Sequence, residues 1–400
     1  MNCMAKKLLH PDAVRDFLTR RYENQHQSWL AGGGIWPLSI SLGAPTEKAV
    51  ADNPGSVRDW VNAWSLWSGP GEVVWASRHW PRLGSQRLPV CFAVSSPEAV
   101  AVLVGQSARW LRASERFRQL IARWPALARG AVLASKFCAL AEYSSEDFER
   151  LVLLLGWLEI HPASNLYLRQ LPVHGIDTKW VGQRSGIVAD LARAVLGAPD
   201  GSDFHAACGL RKPPDRMRMR VLCPDLRKLM GGLRDIEAPV DELADLPFAP
   251  AVCLVVENLE SGLALPDLPA AVCIMKLGNA VSMLGGLPWM QTAKTVYWGD
   301  IDTHGFAILD RARRALPRLQ SVLMDEATLL MHRTLCGTET VQCPDIEFPR
   351  LQYHERLVYE GLRSGAWGRQ LRLEQERLPW AFVLAALKAA LDPAEKMARR

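Results

Sequence analysis

The rhythm of apolar positions changes along the chain and divides it into three blocks. In residues 1–105, "HPDAVRDFLTRRYENQHQSWLAG" repeats its apolar residues at helical spacing, with Val14, Phe17, Leu18 and Tyr22 on one side. Short apolar runs broken by glycine and proline follow, "IWPLSISLG", "GEVVWASRHW" and "LPVCFAV", and they read as strands with turns between them. Residues 106–235 are mostly helical in pattern. "ARWLRASERFRQLIARWPAL" sets Trp110, Phe117, Ile121 and Trp124 along a stripe, and "SSEDFERLVLLLGWLEIHP" opens on Ser144 or Ser145 as a cap, carries acids in its first turn and is closed by Pro162. The turn-rich "QLPVHGIDTKWV" then leads into a helix predicted over 184–196. Such helices are compatible with a winged-helix module whose recognition helix enters a groove, and equally with a plain helical subdomain.

Residues 236–400 behave differently. An acidic, proline-bearing piece at 237–249 reads as a linker. Apolar runs at 251–256, 271–275, 294–298 and 321–324 then alternate with helical stretches, and in "GFAILDRARRALPRLQ" the residues Phe306, Leu309, Arg313 and Leu316 repeat at three and four. Continuous apolar strands alternating with amphipathic helices describe an α/β layer with a mostly parallel sheet.

Two of those strands run straight into acid. "AVCLVVEN" ends on Glu257, and "TVYWGDIDTHGFAIL" carries Asp300 and Asp302. In open α/β sheets functional groups gather beyond the C-terminal ends of strands. A spacing of two puts both aspartates on one side of the departing chain, and if the strands are neighbours all three carboxylates meet. Such a cluster persists when a cation neutralises it, and all-oxygen ligands suit Mg²⁺ or Mn²⁺ in phosphoryl chemistry. The plainer account makes Asp300 and Asp302 caps of a helix starting near Thr303 and pairs Glu257 with an arginine.

Composition narrows the class. With 400 residues, two or three domains are expected, and 49% hydrophobic residues is globular. No uncharged apolar run reaches the roughly 18 residues a membrane span needs, and the first residues do not read as a secretory signal. The nine cysteines, dispersed from Cys3 to Cys343, form no metal-ligand pair and read as reduced thiols of a cytoplasmic protein. The net charge of +5 is concentrated at 109–129 and 211–234, which fits either a phosphate-facing surface or solvated helix faces. Arg169, Lys179 and Arg184, near the turn-rich segment, are the candidate DNA-backbone contacts, giving affinity without sequence choice. Seven of the fifteen tryptophans fall between residues 28 and 80; they can stack bases, but filling a small core is the plainer account.

Glu257 after an apolar strand with Asp300-x-Asp302 after another resembles the Toprim domain of topoisomerases, primases and related nucleases. The wording is closer still to one family. "VVENLES", "GNAVSMLGGLPWM", "YWGDIDTHGFAILDRAR", "SVLMDEATLLMH" and "RLEQERLP" resemble the C-terminal domain of the JetD family, nuclease subunits of Wadjet anti-plasmid systems, and "NLYLRQLPVHGIDTKWV" and "RMRMRVLCPDL" resemble its N-terminal half. The resemblance covers almost the whole chain.

It implies a multidomain α/β protein similar in layout to the topoisomerase VI A subunit: an N-terminal arm domain (1–105), a winged-helix-like DNA-binding domain (106–235) and a C-terminal Toprim domain (236–400), assembled as a homodimer. It implies an endonuclease cutting closed circular double-stranded DNA, beside an SMC-like ATPase, a kleisin and a small accessory subunit. Glu257 is then a ligand or general acid–base, and Asp300 and Asp302 hold the metal. Asp325, in the "LMD" element, is a candidate to extend the site, with His304 and Glu326 behind the ligands. Glu374 and Glu376 match "LEQERLP", where capping or salt-bridging before the helix near Pro379 is the plain role. Topoisomerase relatives attack phosphate with a winged-helix tyrosine. Of the six tyrosines here only Tyr143 and Tyr167 lie in the middle block, and Tyr167 sits where no nucleophile is implied. The expected outcome is hydrolysis by metal-bound water. The alternative is a catalytically silent DNA-binding or scaffold subunit of the same complex.

Overall fold

The computed structural model describes residues 8–247, 249–345 and 347–391, so Cys3 lies outside the described residues. The chain separates into two compact units, Met1–Pro213 and Pro214–Arg400. The boundary expected near residue 105 falls inside the first unit, because both flanking blocks feed one core. Tyr22, on the helix Pro11–Leu30, meets the rings of Trp110 and Phe137 edge-on at 6.1 and 6.4 Å. The boundary expected near 235 falls at 213, because "RMRMRV" is a strand that alternates Met217, Met219 and Val221 into the second core.

In the first unit β1 (Leu38–Ser41), β2 (Glu72–Trp80) and β3 (Gly84–Val94) form an antiparallel sheet ordered β1-β3-β2. Trp60 and Trp64 are buried, and both indole N–H groups donate to the Leu9 carbonyl, at 2.9 and 2.8 Å. Tryptophan as core filling is therefore the reading that holds for these two. Val14, Leu18 and Tyr22 are buried as their spacing predicts, but Phe17 is exposed. At about 100° per residue it falls well off the stripe that the other three share.

The helix Ser145–Ile160 is capped by Ser144, whose hydroxyl accepts from Asp147 N at 3.0 Å. The helix expected over 184–196 runs Thr178–Leu196, beginning six residues earlier where Asp177 accepts from Trp180 N at 2.7 Å, and ending at Gly197 with φ +67°. Asp177 after a proline–glycine turn was a readable start signal. Among the described residues 106–213 contain no strand, so the helices there carry no wing.

The second unit is built on a six-stranded sheet of β4 (Arg216–Val221), β5 (Asp235–Pro239), β6 (Val252–Val256), β7 (Ala271–Met275), β8 (Lys294–Trp298) and β9 (Gln320–Ser321), ordered β5-β4-β7-β6-β8-β9. β7, β6, β8 and β9 are parallel, while β4 pairs antiparallel with both β5 and β7. The piece read as a linker at 237–249 is instead the end of β5 and the helix Val240–Ala244, which buries Leu243. β6 and β7 are buried almost throughout, as continuous apolar runs require of strands covered on both faces.

The helix Thr303–Ala315 packs on this sheet and buries Phe306, Leu309 and Arg313 on the stripe that the sequence predicts. Arg313 is tolerated there because it forks onto the fully buried Glu355, with Nη2 2.6 Å from Oε1, and its Nε donates to Leu319 O at 2.9 Å. A small antiparallel pair, β10 (Gly337–Thr338) with β11 (Leu371–Arg372), completes the unit. No helix among the described residues is long and apolar enough to cross a membrane.

Candidate functional site

β6 and β8 are parallel neighbours in register, Val256 opposite Trp298. Their exits therefore place Glu257 beside Gly299, and the Glu257 amide donates to Trp298 O at 3.2 Å. A Cβ at Gly299 would stand 2.7 Å from the Tyr297 ring and 2.9 Å from Glu257 Oε2, so only glycine lets the two exits close up. Tyr297, buried, donates its hydroxyl to Glu257 Oε2 at 3.1 Å.

Beyond β8 the chain stays extended through a bridge in which Ile301 exchanges both backbone bonds with Leu373, at 3.0 and 3.1 Å. Ile301 points into the core, and Asp300 and Asp302 on either side of it both reach Arg372 of β11. Arg372 Nη2 is 2.9 Å from Asp300 Oδ2 and Nη1 is 3.3 Å from Glu374 Oε1. Its Nε lies 3.0 Å from Asp302 Oδ2, an ion pair without the alignment of a hydrogen bond. Asp302 also caps the helix Thr303–Ala315, with Oδ1 accepting from Gly305 N at 2.7 Å. The capping account and the cluster account thus describe the same residue, one oxygen for each. A Cβ at Gly305 would lie 2.2 Å from the Asp300 carbonyl, which explains the glycine.

The "LEQERLP" loop closes the site. Gln375 is buried and ties three pieces together: its Nε2 donates to Trp298 O at 2.6 Å, its N to Asp300 Oδ1 at 2.8 Å, and its Oε1 accepts from Asn258 N at 2.7 Å. Glu374 pairs with Arg372 and Arg377, and Glu376 accepts from the Asn258 amide. The salt-bridging role expected for Glu374 is present, but it is made at the acidic cluster itself. Glu257, Asp300, Arg372 and the loop line a cavity of about 190 Å³.

The electrostatics follow from burial. Burial pushes the Glu257 carboxyl up to about 7, with Asp300 and Asp302 adding repulsion. Asp302 is pushed up to about 6 by burial, and Glu339 and Asp300 raise it further, against the Gly305 N–H and Arg372. Glu339 is a further buried acid. Its Oε1 accepts from Thr303 N at 3.1 Å and Thr303 Oγ1 at 2.6 Å, and its Oε2 has no partner among the described residues.

Of the other expected residues, Asp325, His304 and Arg184 have partners of their own outside the cluster. Asp325 caps the helix Glu326–Met331, accepting from Thr328 N at 2.7 Å, and Glu326 is exposed in its first turn. His304 is exposed, with Nε2 3.0 Å from Val341 O. Arg169 and Lys179 are exposed. Arg184 is not: Nη2 pairs with Asp147 Oδ2 at 2.7 Å, and its guanidinium lies over Trp180 and Tyr143 at 4.8 and 5.1 Å.

Among the described residues, no group of three or more histidines, cysteines, aspartates or glutamates stands arranged to hold a metal ion. The donor chemistry nevertheless fits a hard cation, since Glu257, Asp300 and Asp302 are oxygen donors with two of them strained toward protonation. What stands against the two aspartates is the Arg372 guanidinium. Arg372, Gln375 and Asn258 are the site residues that the sequence pattern did not single out.

This is a multidomain α/β protein with a carboxylate cluster at the C-terminal ends of adjacent parallel strands. Residues 209–387 match the family model described as Wadjet protein JetD, C-terminal, so this C-terminal domain is of the JetD type. Residues 11–193 match the model of an uncharacterized protein conserved in bacteria, N-terminal (DUF3322). No curated protein matches the chain.

Proposed function

We propose that this chain is a divalent-metal-dependent DNA endonuclease that hydrolyses closed circular DNA as the effector of an SMC-like defence complex. The observation that carries the reading is the convergence of Glu257, Asp300 and Asp302 at one sheet edge within a JetD-type domain. In this reading the second unit is a Toprim-type catalytic domain, the chain works as a homodimer with a kleisin and a small accessory subunit, and Glu257, Asp300 and Asp302 hold Mg²⁺ or Mn²⁺. The ion would neutralise charge on the phosphate and activate water. Tyr297 orients Glu257, Gln375 orients Asp300, and the helix N-terminus at Gly305 fixes Asp302. Arg372 is the resident counter-charge, and metal loading requires it to release the two aspartates. Arg169 and Lys179 are the exposed cations assigned to the DNA backbone; Arg184 serves the interior of its own unit. Asp325 keeps the role of a capping residue, with no contact to the cluster required.

The triple contact of Arg372 also favours a second reading, a silent DNA-binding or scaffold subunit in which the arginine is the permanent cation. Cleavage of a closed circular plasmid by the full chain with its partner complex and Mg²⁺ or Mn²⁺ separates them. Asp300→Asn keeps the shape of the side chain, and it should reduce cutting on the order of 100-fold or more with the fold intact. An Asp300→Asn protein that cuts at the wild-type rate contradicts the assignment, and a wild type that yields no metal-dependent product supports the silent subunit.

A further inference from the structure

In each of the two basic clusters conspicuous in the sequence, several arginines are already taken up by partners within their own unit. In the first, Arg109 pairs with Glu142, Arg112 donates to Ala141 O at 2.8 Å, and Arg116, buried, donates to Leu140 O and Tyr143 O at 2.9 and 2.7 Å. Arg112 and Arg116 thereby cap the C-terminal end of the helix Phe137–Glu142, as the helix dipole favours. In the second, Arg216 and Arg218 pair with Glu237 and Asp235 across β4–β5, and Arg227 and Arg234 share Asp267.

The β2–β3 hairpin is the opposite case. Its outer part, "SRHWPRLGSQR" at 77–87, carries Arg78, Arg82, Arg87 and His79, and no residue from 73 to 97 is acidic. None of the three arginine side chains has an ion-pair partner among the described residues. The nearest acidic contact is Glu47, whose carboxylate accepts from the Arg82 backbone N–H at 2.6 Å. Arg87 lies over the Trp75 ring at 5.4 Å.

The hairpin's geometry leaves these charges outward. Inward of Arg87 the strand turns to the core, with Leu88 3% exposed. Outward, the consecutive residues Ser85, Gln86 and Arg87 are all exposed, and so are Ser77, Arg78 and His79 opposite them. Successive residues of a strand point to opposite faces, so both faces of the ribbon meet solvent. The register places Arg78 with Gln86 on one face and Arg87 with Ser77 on the other, and the tip turns through Pro81–Leu83 onto Gly84 with φ +67°. Charges that merely protect a sheet edge can be of either sign. A ribbon of one sign, polar on both faces, matches the major groove of duplex DNA, which at about 12 Å wide admits two strands.

We propose that the β2–β3 hairpin, through Arg78, Arg82 and Arg87, is a duplex DNA-binding ribbon. Its role is phosphate contact along the groove, without base choice. The proposal does not depend on the cutting reading, since it concerns binding in the absence of metal. The test uses the full chain in chelator with short fluorescent duplexes of two unrelated sequences. Arg78→Ala/Arg82→Ala/Arg87→Ala should weaken both complexes about equally, by roughly 10-fold or more near physiological salt, and should lower the slope of log affinity against log salt by about 2 to 3 units. A folded triple variant, judged by circular dichroism and thermal melting, that keeps wild-type affinity and salt slope overturns the proposal. So does a variant that retains DNA but loses binding to poly-glutamate, because the surface then serves an acidic protein.

Discussion

The interior of the second unit and the β2–β3 hairpin of the first use arginine in opposite ways. In the second, Arg313 is buried against Glu355 and Arg372 bridges three acids at the strand-end cluster. At the hairpin of the first, Arg78, Arg82 and Arg87 are exposed, and their side chains have no ion-pair partner among the described residues. The same side chain is an internal counter-ion in one place and an outward-facing charge in the other. The difference comes from what surrounds it: a buried carboxylate demands a partner, whereas an exposed ribbon with no acids leaves the charge for an external anion.

The comparison is broken most sharply at Arg313. Arg313→Met leaves Glu355 charged, fully buried and deprived of its main partner. Burial alone would raise that carboxyl, and the bonds from Arg313, Ser321 and the Gln352 amide are what hold it below its usual range. Urea unfolding should show a loss of about 3–5 kcal/mol. Arg78→Met, an identical change on the hairpin, should cost less than about 0.5 kcal/mol. Equal effects at both positions would erase the distinction.

A smaller effect is expected at Glu257. Its folded pKa near 7 stands above its ordinary 4.5, so the group is protonated in both states at low pH and contributes nothing there. As pH rises through the interval from 4.5 to about 7 the unfolded state ionises first, and the metal-free fold loses stability. Glu257→Gln removes that loss. In chelator the variant should match wild type near pH ~4.5 and exceed it by at most about 3 kcal/mol near pH ~8. A gap between the two proteins that does not grow with pH would show that Glu257 carries no such strain.

How much of this was legible follows from distance along the chain. The acids at the ends of β6 and β8 were readable, because each sits one to four residues past an apolar run and strand order does the rest. So was the stripe through Arg313, although its partner was not. Arg372 could not be read from spacing: it meets Asp300 across 72 residues, through the pairing of β11 with β10 and the Ile301–Leu373 bridge. The partners of Arg112 and Arg116 in the first basic cluster were hidden for the same reason, since the carbonyls that take them up lie 24 to 29 residues away. The boundary at 213 was missed because "RMRMRV" was read for its charge; its period of two was the stronger signal.

The central claim is that Glu257, Asp300 and Asp302 are a cation site in which Arg372 stands as counter-charge. Calorimetric titration of Mn²⁺ into the DNA-free chain tests it most directly, comparing wild type with Asp300→Asn and Arg372→Gln. The account expects Mn²⁺ binding to the wild type, its loss in Asp300→Asn, and tighter binding in Arg372→Gln because the competing cation is gone. Equal Mn²⁺ binding by wild type and Asp300→Asn, or no binding even after Arg372 is removed, would contradict it.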